Sequence, residues 1–89
     1  MKSKGELFDR SRQPSAEAVG VTIRNLRRLA HLSQRELAER IGIRPGPLCN
    51  IELGKNYPSA QVLLRLAATL NVTTDAILRP SVSPLSPVP

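Results

Sequence analysis

Residues 34–53 read QRELAERIGIRPGPLCNIEL, and Gly42 divides this stretch into two short patterns of apolar residues. Apolar residues recur at helical spacing on both sides of the glycine, Leu37, Ala38 and Ile41 before it and Leu48 and Ile51 after it. Ala38 is small where the second helix must pass close, and Gly42 permits a sharp turn because it has no Cβ. We therefore predict two short helices joined by a tight turn.

The first of these helices has clear start and stop signals. Ser33 is placed as its N-cap, and Glu36, three residues later, closes a capping box. Leu32 and Leu37 have the spacing of a hydrophobic staple across the same helix start. With Gly42 as the exit, the helix is predicted over about residues 34–41.

The start of the second helix is open between two alternatives. If Arg44 is the N-cap, Pro45 is the first helical residue. The prolines then lie in the first turn, where a backbone N–H has no acceptor within the helix, so the lack of this group is tolerated. However, a residue before proline is disfavoured in the α region, which penalises Gly46 inside the helix. The other alternative makes Gly46 the cap and Pro47 the first helical residue, in a helix of about seven residues that stops at Gly54. We favour this second alternative.

Three further helices flank the pair. Their expected N-caps are Ser15, Ser59 and Thr73, and His31 and Asn71 are expected to take the left-handed conformation that ends a helix. The apolar stripes are Val19, Ile23, Leu26 and Ala30 in the first helix, Val62, Leu63, Leu66, Ala67 and Leu70 in the fourth, and Ile77 and Leu78 in the fifth. The predicted fold is an all-α, compact five-helix domain.

The composition restricts the classes of function. The chain has 89 residues, one Cys, one His and no Trp, which fits one small domain with an aliphatic core. Cys49 alone closes no intramolecular disulfide and holds no metal, and His31 has no catalytic partner placed by a motif. We predict no enzyme activity, no metal and no cofactor. No apolar run reaches the roughly 18 residues that span a bilayer, so we expect no membrane partner and a cytoplasmic location.

Charge and proline content divide the chain into three parts. The net charge is +6, which favours acidic partners such as nucleic acid. Residues 1–14 are mildly basic without helical period, and we predict a flexible arm. Residues 15–79 are predicted to form the folded domain. Residues 80–89 hold four prolines and no charge, and are predicted to be a disordered tail.

Residues 34–53 thus meet the physical specification of a helix-turn-helix, whose second helix can project into the major groove of DNA. Sequence elements around it fall in order without insertion, namely Ile23-Arg24-x-Leu26-Arg27, Leu32-Ser33-Gln34-x-Glu36-Leu37-Ala38-x3-Gly42, Ile51-Glu52-x-Gly54-Lys55 and Pro58-Ser59. Over about residues 17–79 the chain resembles the phage-repressor family, also called the Cro and XRE type. The resemblance implies a lambda-repressor-like DNA-binding domain in which helix three is the recognition helix, commonly acting as a dimer on paired half-sites.

The resemblance also implies roles for single residues. Gln34, at the start of helix two, and Lys55 with Asn56, after helix three, match positions that contact DNA phosphates. Arg27 and Glu52 match positions that often form a structural ion pair between helices one and three. Arg24 belongs to a basic run on helix one and is a further candidate for a phosphate contact.

The base-reading positions of the family correspond to residues that depart from its usual pattern. They are Arg44, Pro45, Gly46, Pro47 and Asn50. Only Arg44, suited to guanine, and Asn50, suited to adenine, carry side-chain donors, while Pro47 is placed to touch a thymine methyl group. Two such side chains give only modest discrimination between base pairs in each half-site. Specificity therefore needs dimerisation, DNA shape or the basic arm. Under the opposite interpretation, Pro45-Gly46-Pro47 is a reshaped loop in a protein that no longer reads bases.

Two functions follow from these observations. The leading prediction is a sequence-selective DNA-binding transcriptional regulator, most simply a repressor, whose partners are double-stranded DNA and a second copy of the chain in a homodimer. The alternative is a protein-interaction module on the same scaffold, an antitoxin or a coactivator-like adaptor, with a protein partner. The proline-rich tail and the donor-poor helix three favour the alternative somewhat.

Overall fold

A computed structural model describes residues 14–79 of the chain. Within this range the structure contains five α-helices and no strand, as the all-α prediction requires. The helices are α1 Ala16–Leu29, α2 Gln34–Ile41, α3 Pro45–Glu52, α4 Ala60–Leu70 and α5 Thr74–Leu78. The predicted proline-rich tail and all but the last residue of the predicted basic arm lie outside the described residues.

The four N-caps predicted at Ser and Thr residues are confirmed. The side-chain oxygens of Ser15, Ser33, Ser59 and Thr73 each accept a hydrogen bond from a backbone N–H in the first turn of their helix. At Ser33 the capping box is complete, because the Glu36 carboxylate accepts from the Ser33 N–H at 2.8 Å. This contact lowers the pKa of Glu36.

Helices α1 to α4 end in the same way, with one residue in the left-handed region. These residues are His31, Gly42, Gly54 and Asn71, with φ of 60, 77, 81 and 59°. In each case the following residue donates its N–H to a carbonyl five residues back, as Ile43 does to Ala38 at 3.0 Å. All four predicted stops are therefore confirmed, and α2 has the predicted bounds of 34–41.

The hydrophobic core is aliphatic and draws on all five helices. Its fully buried large side chains are Val19, Ile23, Leu37, Ile41, Leu48, Leu66 and Ile77. Leu26, Ile43, Val62, Leu63 and Leu78 pack against this core and are partly buried. The predicted stripe of α1 was wrong at its end, because Ala30 lies beyond the last helical residue and is exposed.

The favoured start of the third helix was also wrong. Arg44, with φ −79° and ψ 157°, is the N-cap of α3, and Pro45 is its first helical residue. The prolines occupy positions whose amides have no helical partner, so their missing N–H groups cost nothing. Gly46 tolerates the α region before Pro47 because part of the restriction before proline comes from a clash with Cβ, which glycine lacks.

Helices α1 and α3 cross at Gly20, a residue for which no role was predicted from the sequence. A Cβ built on Gly20 would lie 2.5 Å from the carbonyl oxygen of Glu52 and would also clash with the carbonyl oxygen of Ile51. The backbone of α1 therefore runs against the C-terminal end of α3. This crossing fixes the direction in which α3 leaves the core.

Candidate nucleic-acid interface

Helix α3 has one face in the core and a first turn that lies on the surface. Leu48, Ile51 and Glu52 are buried. The N-terminal residues Arg44, Pro45, Gly46 and Pro47 are all exposed, and Asn50, one turn further on, is half-buried. Arg44, Pro45, Gly46 and Pro47 therefore lie at the exposed N-terminal end of α3, whereas Asn50 lies in its second half. Pro45, Gly46 and Pro47 are helical rather than a reshaped loop.

The first turn of α3 offers few hydrogen-bond donors. Pro45 and Pro47 have no backbone N–H, and Gly46 has no side chain. A Cβ built on Gly46 would meet no atom within 4 Å apart from its chain neighbours and the backbone of α3 itself. The Arg44 side chain makes no capping hydrogen bond, so its guanidinium can extend from the helix start.

A buried ion pair holds the other end of α3 to α1. Arg27 Nε donates to Glu52 Oε2 at 2.7 Å and Arg27 Nη2 donates to Glu52 Oε1 at 3.1 Å, a two-pronged contact. Arg27 Nη1 also donates to the carbonyl oxygen of Leu32 at 2.9 Å. The hydrogen bond with Glu52 raises the pKa of Arg27 above its ordinary value. The predicted structural ion pair is confirmed, and it locks α3 to the scaffold.

Gln34 joins this network from the start of α2. Its Nε2 donates to Glu52 Oε1 at 2.9 Å, and the residue is half-buried. Each amide nitrogen carries two hydrogens, so one donor of Gln34 is committed to Glu52 and the second is free for another acceptor. The sequence predicts a phosphate contact for Gln34, and its hydrogen bond to Glu52 was not predicted.

The residues after α3 are tied to the helix by the backbone. The Lys55 N–H donates to the carbonyl oxygen of Asn50 at 2.9 Å, which brings these two predicted contact residues together. The side chains of Lys55 and Asn56 are exposed, whereas Arg24 on α1 is half-buried. The structure thus presents an exposed cation and an exposed amide directly beyond α3.

Two long-range contacts near the interface were not predicted. Arg65 Nη1 on α4 donates to the carbonyl oxygen of Ile41, the last residue of α2, at 3.2 Å. The Tyr57 hydroxyl donates to the carbonyl oxygen of Pro14. Both contacts join residues that are far apart in sequence, and no local spacing rule could have paired them.

Within residues 14–79 the structure contains no group of His, Cys, Asp and Glu side chains that could hold a metal ion. None of the helices in this range is long and apolar enough to cross a membrane. The arrangement that stands out is α2, the turn at Gly42, and α3 with its exposed first turn. This arrangement defines a helix-turn-helix domain.

Comparison with known proteins agrees with this class. Residues 23–77 match a family model described as helix-turn-helix. The chain belongs to the helix-turn-helix family of the phage-repressor type, also called the Cro and XRE type.

Similar proteins include bacterial regulators. An uncharacterised HTH-type transcriptional regulator of Mycobacterium tuberculosis is 41% identical over 58 residues, which are 65% of this chain and 41% of that protein. YazB of Bacillus subtilis, also an uncharacterised HTH-type transcriptional regulator, is 35% identical over 73% of this chain and 94% of its own length. The structure of PlcR from Bacillus thuringiensis, in complex with the peptide PapR7 and DNA, has a TM-score of 0.65 and 33% identity over 68% of this chain and 21% of PlcR.

The match therefore covers less than half of the length of the mycobacterial regulator. The two bacterial relatives are named as transcriptional regulators, and neither name refers to an antitoxin or an adaptor.

Proposed function

We propose that this chain is a sequence-selective DNA-binding transcriptional regulator that represses by occupying its site, with α3 docked in the major groove. The observation that carries the proposal is the position of α3. Its buried face and the Arg27–Glu52 pair hold it to the core, while its N-terminal turn lies on the surface. A helix held this way enters the groove without rearrangement, which limits the entropy lost on binding.

The proposed interface separates base contacts from phosphate contacts. Arg44 donates to guanine and Asn50 pairs with adenine, while Pro45, Gly46 and Pro47 face the base edges between them. The phosphate contacts are proposed for Arg24, Gln34, Lys55 and Asn56. Phosphate contacts fix the position of the domain on the duplex, and base contacts supply the discrimination.

The relatives support this function and suggest how specificity is reached. Two of them are named as transcriptional regulators, and PlcR was solved with DNA. Two side-chain readers supply only modest discrimination, at about 1 to 3 kcal/mol for each good pair. We therefore propose that two copies bind as a homodimer to half-sites about 34 Å apart, which doubles the number of readers.

The first experiment is selection of bound duplexes from a random pool, followed by fluorescence anisotropy on the selected duplex and on a scrambled one. We expect tighter binding to the selected duplex. Asn50→Ala should reduce this preference at one base pair, at a cost of about 1 to 3 kcal/mol on the selected duplex and little on the scrambled one.

The matched control is Asn25→Ala, which removes an exposed amide from α1, outside the proposed contacts. This variant should bind both duplexes as the unmodified chain does. Absence of binding to any duplex at low salt contradicts the proposed function. Equal losses on both duplexes from Asn50→Ala contradict the role of Asn50.

A further inference from the structure

The tip of α3 is a small apolar surface, formed by Pro45, Gly46 and Pro47. All three residues are exposed, and together they carry only one backbone N–H, that of Gly46. The region beside Gly46 is open, with no atom within 4 Å of a built Cβ apart from its chain neighbours and the backbone of α3 itself. The tip therefore presents the ring methylene groups of two prolines, with the bare backbone of Gly46 between them. Any side chain in place of Gly46 would keep a ligand further from this surface.

Such a surface can distinguish few features of a base pair. Most of the major-groove edge consists of hydrogen-bond donors and acceptors, which only polar side chains read. The exception is the methyl group on C5 of thymine, which is read by apolar contact. Because the tip offers methylene groups and almost no donors, this methyl group is the base feature that it fits.

The lack of a side chain at Gly46 also favours contact between the tip and a methyl group. Burial of a methyl group needs van der Waals contact, with carbon atoms about 3.5 to 4.0 Å apart. A long side chain at the centre of the tip would keep the base edges away from both proline rings. A glycine there allows the backbone of α3 to come close to the groove floor.

We propose that the α3 tip selects the C5-methyl group of pyrimidines in the DNA site, an inference that rests on the proposed function. Because the tip has almost no donors, it does not separate thymine from 5-methylcytosine, which carries the same methyl group at the same position. Uracil and unmodified cytosine lack this group, so duplexes that carry them at these positions bind less well. The chain is then sensitive to cytosine methylation at the base pairs under the tip.

The test compares duplexes that differ by one methyl group. In the selected duplex, each thymine is replaced singly by uracil. At each position where uracil lowers the affinity, the base pair is then changed to 5-methylcytosine–guanine and to cytosine–guanine. We expect a loss of about fourfold in affinity when the methyl group is absent, in both the thymine–uracil and the 5-methylcytosine–cytosine comparisons. The same replacements in a scrambled duplex should have no effect.

A double variant tests whether the α3 tip causes the dependence of affinity on the methyl group. In Pro45→Ser/Pro47→Ser the proline rings are removed and Gly46 is kept, and circular dichroism checks that the helices remain. We expect this variant to bind with little difference between thymine and uracil duplexes. The comparison of duplexes with the unmodified chain stands by itself if the variant does not fold.

The outcomes separate this proposal from the proposed function. Binding to no duplex contradicts both. Specific binding with no effect of uracil at any thymine, or a selected site without thymine, contradicts the methyl-group proposal alone. A folded Ser variant that keeps the full methyl dependence contradicts the assignment to the tip.

Discussion

His31 ends α1 in the left-handed region with φ 60°, although it carries a Cβ and is exposed. This conformation costs a residue with a Cβ about 1 to 2 kcal/mol, and glycine escapes the cost. Glycine also gains freedom in the unfolded chain, which offsets about 0.5 to 1 kcal/mol. We therefore expect His31→Gly to raise the free energy of unfolding by about 0.5 to 1 kcal/mol in a urea titration.

Asn71→Gly is the matched control for this prediction. Asn71 occupies the same position at the end of α4, with φ 59°. Asparagine tolerates the left-handed region better than most residues, so the gain from glycine should be smaller. A less stable His31→Gly variant would contradict the assignment of strain to His31.

The Arg27–Glu52 pair is a second residue-level feature with a measurable role. Its side chains are 10% and 2% exposed, so removal of one partner leaves the other charge with little access to water. Breaking such a pair typically costs about 3 to 5 kcal/mol, whereas replacing both partners by apolar residues is far less costly. We expect large losses from Arg27→Met and from Glu52→Leu, and a smaller loss from the double variant than from either one.

Denaturant unfolding of the four proteins in this cycle measures the coupling between Arg27 and Glu52. Additive losses would show that the pair does not act as a unit. DNA binding of the double variant supplies a further readout, since the pair also holds α3 in position. If the ion pair serves orientation, the double variant should lose more affinity for the selected duplex than for a scrambled one.

Gly20 determines how closely α1 and α3 pack. Gly20→Ala would place a methyl group 2.5 Å from the carbonyl oxygen of Glu52, so the two backbones must separate. Overpacking of this kind costs about 1 to 3 kcal/mol. We expect a lower midpoint of thermal unfolding and, because α3 moves relative to α2, weaker discrimination between selected and scrambled duplexes.

Val21→Ala is the control on the same helix. Val21 is 52% exposed, and its truncation should change stability by about 0.5 kcal/mol or less. Unchanged stability of Gly20→Ala would contradict the close crossing of α1 and α3.

The helices themselves could be predicted from local signals in the sequence. Ser33, Glu36 and Gly42 define α2 through bonds between residues three to five apart, and such bonds follow from spacing alone. The start of α3 was misjudged because two local rules conflict at Gly46, and the absence of a Cβ weakens the rule against helix before proline.

The contacts that complete the candidate site are not local. Gly20 lies against α3 across 32 residues of sequence, and Gln34 reaches Glu52 across 18. An isolated glycine in a helical pattern does signal a close approach, but it does not identify the partner. The ion pair of Arg27 and Glu52 was predicted only because the family resemblance supplied the pairing.

Over residues 16–79 the domain carries its excess of positive charge on the surface. Residues 16–79 contain nine Lys and Arg and five Asp and Glu, and one residue of each sign belongs to the buried Arg27–Glu52 pair. The remaining charges are exposed or half-buried, so they act through solvent and are screened by salt within about 8 to 10 Å. Net charge alone therefore attracts DNA weakly, and single cations near phosphates should dominate the salt dependence.

Lys55 tests this distinction between local and overall charge. If Lys55 neutralises one phosphate, Lys55→Ala should flatten the slope of log affinity against log salt concentration by about 0.9, and equally on selected and scrambled duplexes.

The matched control is Arg79→Gln, which removes the same charge next to Asp75, at the end of α5. Helix α5 packs on α1 and α4. Arg79→Gln should leave the slope unchanged, because counterions are released only where a cation lies against the backbone of the duplex. Equal flattening by both variants would mean that the net charge of the domain, rather than a contact of Lys55, sets the salt dependence.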